Sequence, residues 1–496
     1  MKINVKHGSI TDIACDVLIV NLFEGVKSPG GAAAAVDKAL DSFISSYVIE
    51  KEDFKGKLGD VYVLPTYGKI PADKIIVVGL GKSEEFNLAK IREVSSKAIQ
   101  KAISLKAQKV CSIVHGAGIA CLDVAESAQM LAEGTILGSY KFTKYKSKKE
   151  DEKAIKDFEI VESDKSKLDA INKGIKKGII IAESTNKARN LANEPANELN
   201  PAKLAEIAKA IEDIECRIYR KEDILNMGMG AYYAVAKGSE NSPKFIHMIY
   251  RPSGKIKKKV AIIGKGVTFD SGGLCIKPPS GMVLMKDDMA GAAAVLSVMK
   301  ALPKLKPNVE VHAIIAACEN MLDGNAYRPG DVVKAMNGKT IEIDNTDAEG
   351  RLTLADALCY AVDLNVDEIV DVATLTGACM VALGRMASGI MGNNQELIDK
   401  LISSANQGGE RLWQLPMYEE YFDSMKSDIA DFKNSGSREA GASSAALFLK
   451  EFVNNVPWAH IDIAGPAWLD KEVKELGKGA SGAAVRTLIN YILNTK

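Results

Sequence analysis

Ionisable side chains are concentrated in two glycine-rich segments of the chain. The first is Gly264–Ala294, which begins where the apolar stretch VAIIG ends, and the second is Asn345–Leu352. Open α/β sheets bind their ligands outside the carboxyl ends of strands, so polar residues that follow an apolar strand are candidates for a site. These candidates are Lys265, Asp270, Lys277 and Asp288 in the first segment, and Asp347, Glu349 and Arg351 in the second.

The chemistry of this set depends on whether its four carboxylates lie together. Asp347 and Glu349 are two residues apart, so in an extended chain their side chains point the same way. Carboxylates that are gathered without compensation repel one another. They are therefore either dispersed over the surface or held together by cations, and the spacing alone leaves both alternatives open.

Motifs for phosphate binding, histidine-based zinc and serine chemistry are incomplete. The Gly-Lys-Ser and Gly-Lys-Thr triplets that begin at Gly81 and Gly338 are not P-loops, because Ile76 and Val333 stand where the first glycine is required. The chain has no H-E-x-x-H motif and its five histidines are far apart, which argues against a histidine-based zinc site. No G-x-S-x-G elbow surrounds Ser271, so that residue lacks the context of a nucleophile.

The elements that must position the candidate residues follow an α/β pattern. Up to about residue 140, short β-branched runs alternate with helical patterns, which predicts a parallel or mixed sheet flanked by helices. The mostly charged stretch KYKSKKEDEKAIKD, from Lys144 to Asp157, predicts a linker, and we place the boundary between two domains, 1–155 and 156–496, in it. In the second domain the sequence predicts a helix over Lys165–Leu191, strands over 259–263, 309–318 and 368–373, and a hairpin turn at Asn337-Gly338.

Length, charge and cysteine content restrict the class of protein. The 496 residues suffice for about two to four domains. Lys+Arg and Asp+Glu both number 64, so no net charge attracts the chain to nucleic acid or to an anionic membrane. No apolar run reaches the roughly 18 residues of a membrane span and the N-terminus has no secretory pattern, so we expect a cytoplasmic protein with no membrane partner. The eight cysteines form no C-x-x-C pair, which indicates reduced thiols.

The two ionisable segments closely resemble the signatures of the leucyl aminopeptidase (cytosol aminopeptidase) family, most specifically in NTDAEGRL. The resemblance also covers ARNLANEPANELNP, CENMLDGNAYRPGDV, DVATLTGA and DIAGPAW, and so most of the second domain. It implies a two-domain α/β fold with a larger, catalytic C-terminal domain. The activity it implies is that of a dinuclear metal-dependent aminopeptidase, which hydrolyses N-terminal residues, preferentially Leu and other apolar residues, from peptides. The N-terminal domain resembles the family only loosely, and a role in oligomer contacts or in covering the site comes from the same analogy.

The resemblance also assigns roles to the candidate residues. The catalytic pair would be Lys277 and Arg351, whose positive charge would be free for an anionic transition state if two dications neutralise the four carboxylates. The arginine that matches Arg351 holds a bicarbonate ion in the family, and that ion acts as general base. Lys265 would have to lose its proton to ligate a metal, which nearby dications favour. Two divalent ions, Mn²⁺ or Zn²⁺, would be bound by Lys265, Asp270, Asp288, Asp347 and Glu349.

The resemblance also implies a set of substrate-pocket residues, and the sequence departs from the family pattern at three positions. An apolar pocket gains only about 1–3 kcal/mol per methylene, so the resemblance implies broad specificity for apolar residues. The carbonyl of Leu375 would accept a hydrogen bond from the substrate. Asp287 stands directly before Asp288 where the family generally has a non-acidic residue, and Ala290 and Cys275 also depart from the pattern. Positions matching the family's apolar pocket are Met285, Thr374, Gly377 and Ala464.

Two alternatives to a peptidase remain open at this stage. Some bacterial relatives also bind DNA, and an additional DNA-binding regulatory role would use the basic clusters at Lys255–Lys259 and at residues 144–149. A dinuclear phosphoesterase is the less favoured alternative, since such sites usually recruit histidine. By analogy with the family, we expect a homohexamer that acts on peptides with a free N-terminus.

Overall fold

The computed structural model describes residues 1–116, 122–147 and 154–495. The chain folds into two compact units, Met1–Glu183 with Glu472–Gly477, and Ser184–Lys471 with Lys478–Lys496. Each unit is built on a sheet flanked by helices, so the predicted two-domain α/β class is confirmed. Part of the predicted linker, with Lys148 and Lys149 in it, and Cys121 lie outside the described residues.

The first unit is built on a six-stranded sheet of order β1-β6-β5-β2-β4-β3, in which only the β3–β4 pair is antiparallel. Alternate residues of β2 face opposite sides: Val17 and Ile19 pack into one apolar core, and Leu18 and Val20 into another. Its strands are β1 (Lys2–His7), β2 (Cys15–Leu22), β3 (Val61–Pro65), β4 (Ala72–Gly79), β5 (Lys109–Ser112) and β6 (Asp157–Glu162). Its α-helices are α1 (Gly31–Ala39), α2 (Leu88–Ser104), α3 (Val124–Gly138) and the first part of α4 (Leu168–Asn193).

Helix α2 illustrates how the local sequence sets these elements. The Asn87 side chain accepts the Lys90 N–H and so caps the helix start. Buried Ile91, Val94 and Ala98 then recur at helical spacing and form the face that packs on the sheet.

The second unit contains an eight-stranded mixed sheet of order β15-β14-β17-β13-β9-β10-β8-β7. Its central strands β17, β13, β9 and β10 run parallel. The sheet strands are β7 (Glu215–Tyr219), β8 (Lys244–Tyr250), β9 (Lys258–Asp270), β10 (Val309–Asn320), β13 (Glu368–Ala373), β14 (Ser388–Gly392), β15 (Leu412–Gln414) and β17 (Trp458–Asp462). Two small sheets contain β11 (Val332–Lys334), β12 (Thr340–Glu342) and β16 (Phe432–Lys433), and β18 (Trp468–Leu469) and β19 (Gly479–Ala480).

Helices pack against the faces of this sheet. The central strands are buried on both faces, as expected for near-continuous apolar runs in a parallel sheet. The helices after α4 are α5 (Pro201–Lys209), α6 (Lys221–Asn226), α7 (Gly230–Ala236), α8 (Pro279–Met282), α9 (Ala290–Leu305), α10 (Gly350–Asp363), α11 (Gly377–Leu383), α12 (Gln395–Gly408), α13 (Gly441–Lys450) and α14 (Val485–Asn494).

Strand β9 is longer than the sequence predicted. The prediction placed Lys265 and Asp270 in a polar stretch after the strand, whereas the strand continues to Asp270 and pairs with β10 as far as Asn320. Gly264 lies inside the strand, and helix α9 packs closely on it. A Cβ at Gly264 would be 2.6 Å from the Cα of Ala292, so a larger residue would not fit there. The glycine therefore marks a close helix–strand approach and not a loop.

The predicted hairpin forms, but the chain beyond it is not extended. Strands β11 and β12 pair in antiparallel register, and Gly338 in the turn between them has φ +89°. Strand β12 ends at Glu342, and Glu349 has helical backbone angles at the start of α10. The assumption that Asp347 and Glu349 share an extended strand is therefore wrong, because a turn brings the chain from β12 into the helix.

In the described part of the chain, no helix is both long and apolar enough to cross a membrane.

Candidate functional site

Lys265 occupies the centre of the candidate site. It lies on β9 and is buried, and its Nζ is 2.7 Å from Asp288 Oδ1 and 2.8 Å from Glu349 Oε1. The carbonyl oxygen of Thr374 accepts a further hydrogen bond from Nζ at 3.0 Å. The lysine fits here because Gly350 leaves room for it, since a Cβ at that position would lie 2.5 Å from Lys265 Cε.

Lys277 joins the other two carboxylates. Its Nζ is 2.8 Å from Asp270 Oδ2 and 2.5 Å from Asp347 Oδ1. Gly272, with φ +87°, forms the turn directly after β9, where a Cβ would lie 2.5 Å from the carbonyl oxygen of Cys275. The turn returns the chain so that Lys277 faces the end of the strand it has just left.

The five residues that the resemblance assigns to metal binding converge in the structure. Asp270, Asp347 and Glu349 each offer a carboxylate oxygen, and these oxygens lie within 4.8 Å of one another. Asp288 joins this group through Lys265. Apart from Asp347, which is partly exposed, the members are buried, so the alternative of carboxylates dispersed over the surface is excluded.

The charges of this cluster are unbalanced, because four carboxylates face two lysines. Burial raises the pKa values of Asp288, Asp270 and Asp347 above their ordinary range, although the lysines oppose it. Burial by itself would lower the pKa of Lys265, but the nearby carboxylates outweigh it and raise that pKa. The same balance raises the pKa of Lys277. The raised carboxyl pKa values reflect the cost of placing four negative charges beside only two lysines in a poorly hydrated site.

A divalent cation suits this donor set. The buried Oδ2 of Asp288 has no hydrogen-bond partner among the described residues, which is costly for a carboxylate oxygen unless something binds it. Carboxylate oxygens with one amine nitrogen are compatible with Mn²⁺, Mg²⁺ or Zn²⁺. The residues present thus fit the metal that the sequence resemblance implies.

Arg351 is a second buried cation near these carboxylates. It lies in the first turn of α10, with its guanidinium carbon 6.0 Å from the ring centroid of Phe448. Burial lowers its pKa to about 10, against the opposing effect of Glu349 and Asp462. Within the three described ranges no carboxylate is close enough to form an ion pair with it, so its charge is available to an anion.

One of the predicted pocket residues, Thr374, is hydrogen-bonded to the cluster, and two others share the carboxylate of Asp462. The Thr374 hydroxyl donates to Asp288 Oδ1 at 2.8 Å, directly after strand β13. The backbone N–H groups of Leu375 and Ala464 both donate to Asp462 Oδ1, at 3.2 and 3.1 Å. The other two are placed by their elements: Met285 begins the 3₁₀ turn Met285–Asp287 before Asp288, and exposed Gly377 is the first residue of α11.

Three polar residues near the cluster were missed as individual residues: Asn320 and Thr346, which support it, and Asp462, which binds the segments after β13 and β17. Asn320 Nδ2 donates to Asp270 Oδ1 at 2.8 Å and to the Thr346 carbonyl oxygen at 3.0 Å. The Thr346 hydroxyl donates to the Gly272 carbonyl oxygen at 2.6 Å. Asn320 and Asp462 are polar residues at the ends of apolar strands, which is the signal that had identified the first ionisable segment.

Two of the departures from the family pattern, Asp287 and Cys275, lie next to the cluster or in the turn that follows β9. Asp287 is buried, and burial raises its pKa to about 6 although the charges of Lys265, Arg385 and Lys286 oppose this. It therefore adds another carboxylate next to the cluster. The backbone N–H of Cys275 donates to the Thr346 hydroxyl oxygen at 2.8 Å, so this residue forms part of the turn that follows β9.

The basic cluster at Lys255–Lys259 is partly neutralised. Lys258 pairs with Glu368, and Lys259 Nζ is 3.7 Å from Glu310 Oε1. Ion pairing reduces the charge that these lysines can offer to a phosphate backbone, so the geometry does not favour the DNA-binding alternative.

Two family descriptions match the chain. The description "Cytosol aminopeptidase family, catalytic domain" matches residues 186–489, and "Cytosol aminopeptidase family, N-terminal domain" matches residues 19–149. These matches cover the residues of the ionisable cluster and much of the first unit.

Curated relatives agree with this assignment. A "Probable cytosol aminopeptidase" of Persephonella marina is 46% identical over 501 residues, covering 100% of each chain. Another of the same description from Aquifex aeolicus is 49% identical over 452 residues, covering 90% of each.

Solved structures are similar over almost the whole chain. A tomato leucine aminopeptidase mutant superposes with a TM-score of 0.89 at 38% identity, covering 99% of this chain and 96% of that one. The "Bottromycin maturation enzyme BotP in complex with Mn" superposes with a TM-score of 0.85 at 31% identity, covering 97% and 99%. That relative carries manganese.

Proposed function

Because the chain belongs to the cytosol aminopeptidase family, and is a metallo-aminopeptidase of that type, we propose that it removes Leu and other apolar residues from peptides with a free N-terminus, using two divalent ions. The observation that carries this proposal is the convergence of four carboxylates around Lys265 and Lys277, with a surplus of negative charge and an unpartnered oxygen on Asp288. A structural cluster would be expected to balance its charges internally.

Five residues would hold the ions. In this proposal Mn²⁺ or Zn²⁺ is bound by the oxygens of the four carboxylates and by the nitrogen of Lys265. When bound, such a pair of ions polarises the scissile carbonyl group and lowers the pKa of an attacking water. The proposed ligands are Lys265, Asp270, Asp288, Asp347 and Glu349.

Lys277 and Arg351 would perform the remaining chemistry. Lys277 Nζ, which now contacts two carboxylates, would donate a hydrogen bond to the oxyanion that forms at the scissile carbon. Arg351 would hold bicarbonate as the general base, because it is a buried cation that forms no ion pair with a carboxylate within the described ranges. The two cations thus have different tasks, one toward the substrate and one toward a bound anion.

The substrate would be oriented by the segments that follow β13 and β17. The Leu375 carbonyl would accept a hydrogen bond from the peptide, while Met285, Thr374, Gly377 and Ala464 would surround its first side chain. An apolar surface favours Leu or Met over charged residues but discriminates weakly among apolar ones. We therefore propose broad apolar specificity.

The assembly and the role of the first domain are proposed by analogy with the family. We propose a cytoplasmic homohexamer in which domain 1–155 contributes to oligomer contacts or to covering the site of domain 156–496. Size-exclusion chromatography coupled to light scattering would test the hexamer, and a monomer at micromolar concentration would contradict it.

Metal removal and replacement tests the proposed activity. We would chelate the protein, add Mn²⁺ or Zn²⁺ separately, and measure both the release of leucine from leucyl amide and the metal bound per subunit. We expect no activity after chelation, recovery with at least one ion, and two ions per subunit. The exposed residue Lys300 on α9 supplies a matched control, since Lys300→Ala should bind metal normally whereas Lys265→Ala should not. Full activity after complete chelation would contradict the proposal.

A further inference from the structure

Asp462 is a fully buried carboxylate at the end of β17 that is not one of the proposed metal ligands. Its Oδ1 accepts the N–H groups of Leu375 and Ala464, and its Oδ2 accepts the hydroxyl of Thr376 at 2.7 Å. One carboxylate therefore connects the segment that follows β13 to the segment that follows β17.

These two segments carry three of the five proposed pocket residues. Leu375 and Ala464 are bound to Asp462 directly, and Thr374 precedes Leu375. Thr374 also contacts the cluster, since its carbonyl accepts from Lys265 and its hydroxyl donates to Asp288. Movement of the segment after β13 would therefore alter the proposed pocket and its connection to the cluster together.

A histidine–aspartate pair lies next to Asp462 on the central strands of the sheet. His460 is two residues earlier, on the same face of β17, and its Nδ1 is 2.5 Å from Asp371 Oδ1. The indole N–H of Trp458 donates to the other oxygen of Asp371 at 2.7 Å. These contacts fix the histidine ring on the central strands β13 and β17.

His460 lies within reach of two carboxylates, those of Asp371 and Asp462. Burial by itself would lower the pKa of His460, but the carboxylates of Asp371 and Asp462 raise it, while Arg351 opposes them. The three hydrogen bonds that Asp462 accepts thus hold its carboxylate in one fixed position.

We infer that Asp462 is a positioning residue for the proposed reaction: it fixes the spacing between Leu375 and Ala464, and through that spacing it determines which first side chains the pocket accepts. The inference rests on the proposed function. It assigns no chemical step to Asp462, which acts through the backbone of the two segments.

A purely structural role would give a different result. A variant that only lowers the fraction of folded enzyme reduces kcat/KM for every substrate by the same factor. A variant that loosens the pocket reduces the preference for one side chain over another, because discrimination depends on contacts with each methylene. The ratio of kcat/KM for a leucine substrate to that for an alanine substrate therefore separates the two roles.

The experiment uses the full-length, metal-loaded enzyme with the p-nitroanilides of leucine and alanine. Asp462→Asn keeps the shape of the side chain and loses its charge. Thr376→Val removes the hydroxyl that donates to Asp462, together with the N-terminal cap of α11, since the same hydroxyl oxygen accepts the Cys379 N–H at 3.0 Å. We expect the leucine-to-alanine ratio to fall about fivefold in Asp462→Asn and about threefold in Thr376→Val, mainly through KM of the leucine substrate. Hydrogen exchange of the amides in segment 374–376 should be faster in both variants.

Two matched variants serve as controls. Thr376→Ser restores the hydroxyl and should keep the wild-type ratio. Tyr250→Phe removes another buried hydrogen bond of the same unit, from the Tyr250 hydroxyl to the Pro307 carbonyl, and should leave the ratio unchanged.

The outcomes distinguish this inference from the proposed function. If the wild type hydrolyses neither anilide, the proposed function fails. If the wild type is active and the ratio stays at its original value in both Asp462→Asn and Thr376→Val, the inference alone is overturned. Should Asp462→Asn not fold, Thr376→Val decides in the same way.

Discussion

Two buried ionic clusters in this molecule differ in how they balance charge. In the first unit, Arg92 on α2 pairs with Glu133 on α3 at 2.8 Å, and Glu133 also accepts a hydrogen bond from Gln129. In the second unit, four carboxylates meet only two lysines, and one carboxylate oxygen lacks a partner among the described residues. The balanced pair joins two helices, whereas the unbalanced cluster has the charge to bind cations. In this molecule net charge, more than burial, distinguishes the proposed metal site from the Arg92–Glu133 pair.

The largest expected effect tests the unbalanced cluster. Lys265→Ala or Asp347→Ala should lower kcat/KM for a leucine substrate by at least about 1,000-fold, because each removes a proposed metal ligand. The circular dichroism spectrum should remain that of the wild type. Full activity in either variant would contradict the assignment of these residues.

The next effect concerns the balanced pair. Glu133→Gln removes the carboxylate that pairs with the buried guanidinium of Arg92, so we expect the free energy of unfolding to fall by about 3 kcal/mol in urea denaturation. Activity per folded molecule should not change. The double variant Arg92→Met, Glu133→Leu should recover much of the stability, and a single variant as stable as the wild type would refute the structural role of the pair.

A smaller effect is expected when metal is added. Because the proposed ions would bind only the folded cluster, Mn²⁺ at 100 times its dissociation constant should stabilise the protein by about 2.7 kcal/mol per site. The gain should be equal in wild type and Glu133→Gln, and absent in Lys265→Ala. Thermal unfolding with and without Mn²⁺ measures it, and an equal gain in Lys265→Ala would place the metal elsewhere.

The smallest effect reverses the usual sign of a buried-site mutation. In metal-free protein, Asp288→Asn removes one of the surplus negative charges, so we expect stability at pH 7 to rise by about 1 kcal/mol while activity is lost. Urea denaturation in the presence of a chelator tests this. If Asp288→Asn destabilises the metal-free protein as Glu133→Gln does, the contrast between the two clusters fails.

The sequence predicted the parts of the fold that depend on local patterns. The helical spacing of α2 and the Gly338 turn are set by neighbouring residues, and the structure contains both. The end of β9 could not be predicted locally, because the strand continues only where β10 provides a partner and α9 packs against Gly264. Long-range pairing thus decided where the strand ends.

The same limit applies to the site. Its ionisable residues were found because they follow apolar strands and match family segments. The contacts of Asn320 and Asp462 were not predicted, since the first joins chain segments 50 residues apart and the second joins segments 87 residues apart. Such contacts are visible only when the order of the strands is known.

The close approach at Gly350 limits how this enzyme can diverge. A single methyl group there would lie 2.5 Å from Lys265 Cε and 2.7 Å from its Nζ, so alanine could be accepted only if the lysine moved or was replaced as well. The two positions should therefore evolve as a pair, and a randomised library screened for hydrolysis should return glycine at position 350 in every clone that retains the lysine.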